Sequence, residues 1–243
     1  MRLTRCHVDL PLAAGARIRL PDDAANHLTR VLRLRDGDAC VLFNGDGHDY
    51  QARLAMSGKR EAFAEVQDTA VVDNESPLRI TLVQGIARGE KMDLILQKAT
   101  ELGVAAIVPV DAERTEVKLD AQRLEKRLAH WRSVVVSACE QSGRATVPAV
   151  SAPLPLHRLA EALDAGGARF TLDPQGQQSL SAAALETGGV VLAVGPEGGW
   201  SPRDREQLAR CGFTGLRLGP RILRTETAGL AAISVLQARF GDF

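Results

Sequence analysis

The sequence predicts two parts: a small, mostly antiparallel β-barrel over residues 1–72, then an α/β domain with a mainly parallel sheet over residues 73–243. Three observations predict it. The first part consists of short β-type runs bounded by turn residues, with one short helical stretch. Val71-Val72-Asp73-Asn74-Glu75-Ser76-Pro77 is a polar linker that ends in proline. Beyond it, apolar runs of strand length alternate with stretches of helical periodicity, the texture of βαβ units.

The elements follow in order. Arg17-Ile18-Arg19-Leu20 alternates as a strand, and Pro21-Asp22-Asp23 turns into a short helix over residues 24–31. Asp36-Gly37-Asp38 is a turn before the apolar run Ala39-Cys40-Val41-Leu42-Phe43. Asn44-Gly45-Asp46-Gly47 is a hairpin signal that leads into Asp49-Tyr50-Gln51-Ala52-Arg53-Leu54, and Phe63-Ala64-Glu65-Val66 is a further strand. The second part opens with Ile80-Thr81-Leu82-Val83. Residues 90–102 read as a helix, because Met92, Ile95, Leu96, Ala99 and Leu102 share one face and Gly103 supplies the stop. A buried strand spans residues 104–110. Asp120 is placed to cap a long helix that reaches residue 140, with Leu124, Leu128, Trp131 and Val135 in register. Arg169-Phe170-Thr171-Leu172 and Val190-Val191-Leu192-Ala193-Val194 are two more strands. Ser201-Pro202-Arg203-Asp204 combines a cap, a proline at the first helical position and an acid at the third; Gly212 ends that helix. Gly215-Leu216-Arg217-Leu218 is the last strand and residues 225–240 the last helix.

Composition narrows the function. Lys and Arg total 30 against 30 Asp and Glu, so the net charge is zero, which argues against an indiscriminate polyanion binder. Arginine supplies 25 of the 30 basic residues; this suits planar recognition of phosphates and bases, although codon composition produces the same bias. No run approaches the roughly 20 apolar residues of a membrane span. Asp9 and Pro11 interrupt the N-terminus, so no secretory signal is expected. Cys6, Cys40, Cys139 and Cys211 are scattered without a C-x-x-C pair, which disfavours zinc or redox chemistry and fits a reducing cytoplasm. Packing outweighs a nucleophilic role for Cys139. The five histidines show no metal spacing, so no metal is expected.

In open α/β sheets ligands bind beyond the C-terminal strand ends. Three loops qualify: Asp173-Pro174-Gln175-Gly176, Gly195-Pro196-Glu197-Gly198-Gly199 and Gly219-Pro220-Arg221-Ile222-Leu223-Arg224. They contain neither G-x-G-x-x-G nor a P-loop, so they suit a ligand that needs backbone hydrogen bonds more than phosphate neutralisation. Plain turns are the competing reading. There is no G-x-S-x-G elbow. Near the loops lie Glu197, Arg221, Arg224 and Glu226; the arginines suit an anionic group or a helix-end salt bridge. Thr225 reads as a helix cap, and a ligand carboxylate could lie by that helix N-terminus. Gln141 and Arg144, near the long helix's end, suit a base or phosphate, or simply solvent.

Gly195-Pro196-Glu197-Gly198-Gly199-Trp200, followed by Leu218-Gly219-Pro220-Arg221-Ile222-Leu223-Arg224-Thr225-Glu226-Thr227-Ala228, closely resembles the RsmE family. Upstream matches are Lys91-Met92-Asp93, Gln97-Lys98-Ala99-Thr100-Glu101-Leu102-Gly103-Val104 and Glu140-Gln141-Ser142-Gly143-Arg144. His27-Leu28-Thr29-Arg30-Val31-Leu32-Arg33 with Gly37-Asp38 resembles the family's PUA-like RNA-binding domain. The resemblance implies a SPOUT methyltransferase domain with a C-terminal trefoil knot, a topology periodicity would never suggest. It implies S-adenosylmethionine as cofactor, a homodimer in the cytoplasm, and methylation of a uridine N3 in 16S RNA of the bacterial small ribosomal subunit. Leu172, Gly195, Pro196, Gly198, Gly199, Leu218, Gly219, Ile222, Leu223, Thr225 and Ala228 would line the cofactor. Arg5, His27, Arg30, Arg33, Lys98, Gln141 and Arg144 would meet RNA. A weakly nucleophilic uracil N3 must lose its proton, so Arg224, Gln141 and Arg144 are candidate donors to its carbonyl oxygens. Glu197 or Glu226 would orient them or accept the proton. A SPOUT enzyme with another RNA target, such as a ribose 2′-hydroxyl, and a non-enzymatic RNA-binding module are the alternatives.

Charge is polarised along the first part. Residues 1–35 hold seven arginines against three acids, and residues 36–72 three basic against seven acidic residues. Residues 217–224 add three arginines and no acid. A positive side facing RNA, balanced by an acidic side, is the expectation.

Overall fold

The computed structural model describes residues 3–57, 61–117, 121–163, 166–185 and 188–243; the cap expected at Asp120 lies outside them. The chain forms two compact units, Met1–Glu75 with Cys139–Val147, and Ser76–Ala138 with Pro148–Phe243.

Unit 1 is a five-stranded sheet of β1 (Thr4–His7), β2 (Arg17–Arg19), β3 (Ala39–Phe43), β4 (His48–Ser57) and β5 (Glu61–Val71), in the order β1-β3-β4-β5-β2. All its pairings are antiparallel except β1 with β3. The Asn44–Gly47 signal does connect β3 to β4: Asn44 Oδ1 accepts from Asp46 N at 3.2 Å, and Gly45 and Gly47 take φ of 92° and 88°. Leu20, Leu28, Leu42, Tyr50, Leu54, Ala64 and Val66 share the core. Strand β1 went unforeseen because Arg5, half of its buried centre, is charged. The helical stretch starts earlier than expected, as α1 (Asp22–Asn26), and continues as a π-helical turn over His27–Val31.

The expected segregation of charge is corrected at β2. Arg17 and Arg19 do share its outer face, but Arg17 faces Glu65 at 3.8 Å and Arg19 faces Glu61 at 3.2 Å. Basic and acidic segments interleave there because the strands that carry them are hydrogen-bonded neighbours.

Unit 2 is an eight-stranded sheet whose pairings among the described residues are all parallel. Its strands are β6 (Arg79–Gly85), β7 (Ala106–Asp111), β8 (Ala149–Val150), β9 (Leu154–Pro155), β10 (Ala168–Leu172), β11 (Gln178–Ser179), β12 (Gly189–Val194) and β13 (Thr214–Arg217). They run β11-β13-β10-β12-β6-β7-β8, with β9 also on β7. Helix α2 (Glu90–Glu101) buries the predicted face of Met92, Ile95, Leu96 and Ala99. The long helix α3 spans Ala121–Ser142. Helix α4 (Pro202–Arg210) starts on a complete capping box: Ser201 Oγ accepts from Asp204 N at 3.1 Å and Asp204 Oδ2 from Ser201 N at 2.9 Å. Helix α5 (Thr225–Phe240) packs on α2. Buried Gln237 of α5 donates to Leu102 O at 2.8 Å and accepts from Ser76 Oγ at 2.7 Å, fixing α5 against the end of α2. A Cβ on Gly103 would lie 2.8 Å from this amide, so glycine serves both the helix stop and the contact.

Candidate active site

The chain after β12 passes through α4 to β13, which lies beyond β10. The C-terminal ends of β10, β12 and β13 are therefore near neighbours, and their loops enclose a cavity of about 740 Å³. All eleven residues expected at the cofactor line it, together with Arg224, Glu197 and Glu226. The three loops named from sequence meet here, with Asp173 and Pro174 standing for the first.

The middle loop is built for close backbone approach. A Cβ on Gly85, at the end of β6, would fall 2.5 Å from the nitrogen of Pro196, and one on Gly195 would fall 3.2 Å from Trp200 N. Gly199 takes φ of 64° and closes a turn on Pro196 O at 2.9 Å. Thr225 corrects its expected role. The cap position belongs to Arg224, and the Thr225 hydroxyl instead donates to Gly195 O at 2.6 Å while accepting from buried Gln84 Nε2 at 3.0 Å. This chain ties the start of α5 to the glycine loop.

The two acids differ. Glu197 Oε1 accepts from Arg88 N at 3.1 Å and Lys91 Nζ at 3.2 Å. Partial burial pushes its carboxyl up, but hydrogen bonds from the Arg88 and Glu197 backbone and the Lys91 ammonium outweigh this, leaving it below the ordinary value. Glu226 sits in the first turn of α5, and its Oε2 is buried without a hydrogen-bond partner among the described residues. The indole Nε1 of Trp200 is in the same state. A buried polar atom left unpaired costs about 1–3 kcal/mol, so two on one cavity wall mark where a polar ligand would be received.

Arg114 and Arg205 also line the cavity, although no motif marks them in the sequence. Arg114 follows β7 and donates to Gly198 O at 3.0 Å; it stands beyond a parallel strand end, the signal that would have found it. Arg205 pairs with Asp173 at 3.2 Å. Arg217, Arg221 and Arg224 are exposed and have no ion-pair partner among the described residues. Lys98 does not line the cavity; it pairs with Glu101 on α2 at 2.8 Å.

The other expected RNA contacts lie in unit 1. Arg5 and Arg144 are both buried. Arg5 pairs with Asp49, stacks over Phe43 and donates to Arg144 O at 3.0 Å, while Arg144 Nε donates to Glu75 at 2.8 Å. Glu140 accepts from His7 N at 3.0 Å. Gln141, Arg30 and Arg33 are exposed and His27 is half-buried. Burial pushes the Cys139 thiol up to about 12, in keeping with the packing role read from sequence. No described helix is long and apolar enough to cross a membrane.

A parallel sheet with a glycine-walled cavity at its C-terminal edge, on a chain that also carries a small β-unit, defines a class. The RNA methyltransferase domain family matches residues 74–237, and the RNA methyltransferase PUA domain family matches residues 20–67. A Ribosomal RNA small subunit methyltransferase E of Neisseria gonorrhoeae, solved bound to S-adenosyl methionine, is 41% identical with a TM-score of 0.92, covering 100% of both chains. A putative methyltransferase of Legionella pneumophila, solved with bound cofactor SAM, is 35% identical with a TM-score of 0.95 over 100% of both. The Ribosomal RNA small subunit methyltransferase E of Mycobacterium tuberculosis is 34% identical over 96% of this chain and 92% of its own length. The chain belongs to the Ribosomal RNA small subunit methyltransferase E family, as the motif resemblance implied.

Proposed function

We propose that this protein transfers a methyl group from S-adenosylmethionine to N3 of a uridine in the 16S RNA of the bacterial small ribosomal subunit. It acts in the cytoplasm as a homodimer, with the C-terminal segment knotted. The observation that carries the reading is the cavity wall. Leu172, Val194, Leu218 and Leu223 give it an apolar side, the backbone of Gly195–Gly199 a hydrogen-bonding side, and Glu226 and Trp200 two unpaired polar atoms. That combination fits a nucleoside-containing sulfonium without phosphates.

When bound, the cofactor supplies an electrophilic methyl group on sulfur. The chain's own residues supply position and a proton acceptor. Glu197 is held by Arg88 and Lys91, so it latches the glycine loop against the segment that opens α2. Glu226 keeps a free carboxylate oxygen and is the better acceptor for the N3 proton. Arg224, exposed at the start of α5, donates to the uracil carbonyl oxygen as negative charge develops there. Arg217 and Arg221 attract neighbouring phosphates. Leu230, Ala231, Val235 and Ala238, an apolar stripe of α5 that the single chain leaves unburied, support the dimer.

The test incubates the protein with labelled cofactor and either free 16S RNA or assembled small subunits, then identifies the nucleoside by mass spectrometry. The expected product is 3-methyluridine. A 2′-O-methyl product rejects the base assignment, and no cofactor binding in calorimetry rejects the enzyme.

A further inference from the structure

Unit 1 holds an apolar pair at its surface that no core requires. The π-helical turn His27–Val31 closes through Leu32 N to His27 O at 2.9 Å, and Leu34 N reaches Leu28 O at 2.9 Å. Thr29 Oγ1 adds a bond to Ala25 O at 2.7 Å. Leu28 is fully buried and Leu34 packs on the same core, so the segment is pinned at both ends. Between these anchors Val31 is 66% exposed and Leu32 40%. Arg33 follows with φ of 59°, the only non-glycine residue with positive φ among the described residues. A π turn and a left-handed arginine are both costlier than ordinary helix, and each is a recurrent mark of function. Here their result is to hold two aliphatic side chains outward on a rigid support.

The charges around the pair identify its partner. Arg30, Arg33 and Arg35 are exposed and have no ion-pair partner among the described residues, unlike Arg17 and Arg19, which face acids on β5. An apolar protein surface would leave three guanidinium groups unneutralised. RNA satisfies both parts: phosphates take the arginines, and the face of an unstacked base takes the aliphatic carbons. Apolar wedges between bases are an established device in nucleic-acid binding.

We propose that Val31 and Leu32 form a wedge that packs against a splayed base of the RNA, while Arg30, Arg33 and Arg35 hold the adjoining phosphates. This rests on ribosomal RNA being the substrate and states how unit 1 grips it.

The test uses the full chain, free 16S RNA and assembled small subunits, with binding measured by filter retention across a salt series. Val31→Ser with Leu32→Ser is expected to weaken RNA binding about tenfold or more. Its salt slope should stay unchanged, because no charge is removed. Arg30→Ala with Arg33→Ala should weaken binding and lower the salt slope by about 1 to 2. Val31→Ile with Leu32→Met should bind like wild type, since apolar contact is retained. Wild-type affinity in the serine variant overturns the wedge. So does an equal loss in the Ile/Met variant, or a loss confined to assembled subunits, which would place the pair against a ribosomal protein. A wild-type chain that binds neither form of RNA overturns the substrate reading, and the wedge with it.

Discussion

Glu197 and Glu226 line one cavity, yet their surroundings differ, and the roles proposed for them differ accordingly. Glu197 has its hydrogen bonds in place, so Glu197→Gln weakens the bond to Lys91 and loosens the loop. The expected outcome is poorer cofactor affinity in calorimetry, with a near-normal single-turnover rate at saturating cofactor. Glu226→Gln, measured at saturating cofactor, should lose about 10²-fold or more in single-turnover rate; a wild-type rate removes Glu226 as the proton acceptor. The pH dependence follows from the direction of the Glu197 shift. Its folded-state carboxyl lies below the ordinary value, so the latch is fully present above the unfolded-state value and is lost as pH falls through the folded-state one. Cofactor affinity should therefore hold on acidification to the ordinary carboxylate range and weaken only below it. Arg224 makes no side-chain cap bond, so Arg224→Ala should leave thermal unfolding unchanged while lowering the single-turnover rate about 10²-fold or more. Near-wild-type turnover would reject its role.

At the scale of elements, legibility followed the range of the interactions. Helix α4 was readable because its capping box lies within Ser201–Asp204. The three loops were readable because glycine marks strand ends where backbone must approach a ligand. Strand β1 was not, since its pairing with β3 and the partners of buried Arg5 lie at least 36 residues away in sequence. Thr225 shows the limit within one motif. Its position beside a helix start suggests a cap, but Gly195 and Gln84, 30 and 141 residues distant, claim its hydroxyl. This gives an element-scale prediction. Thr225→Val leaves the Gly195 carbonyl and the Gln84 amide short of a partner in a buried place, at a cost of about 1–3 kcal/mol. Denaturant unfolding should report that loss, and cofactor affinity should fall because the loop and α5 are no longer joined. Thr225→Ser, which keeps the hydroxyl, should restore both; its failure to do so would assign the effect to the lost methyl group.

For the molecule as a whole, the proposed dimer would set α5 between the site and a second copy. Its first turn gives Thr225, Glu226 and Ala228 to the cavity, while Gly229, Ala232, Ile233 and Leu236 are buried in unit 2. Leu230, Ala231, Ser234, Val235 and Ala238 recur at helical spacing on another face, and none of them is buried in the single chain. A helix that is apolar around its circumference belongs in an interior, and an isolated subunit leaves this stripe in contact with water. A second copy meeting it about a two-fold axis would bury the stripe on both chains at once. Val235→Glu places a charge in that stripe, whereas Arg239→Glu alters charge beyond it. Light scattering should find a dimer for the wild type and Arg239→Glu, and a monomer for Val235→Glu. Because one rigid helix carries both faces, the monomeric variant should also bind cofactor more weakly. A wild-type chain that is monomeric at micromolar concentration, or a Val235→Glu variant that remains dimeric, would place the interface elsewhere.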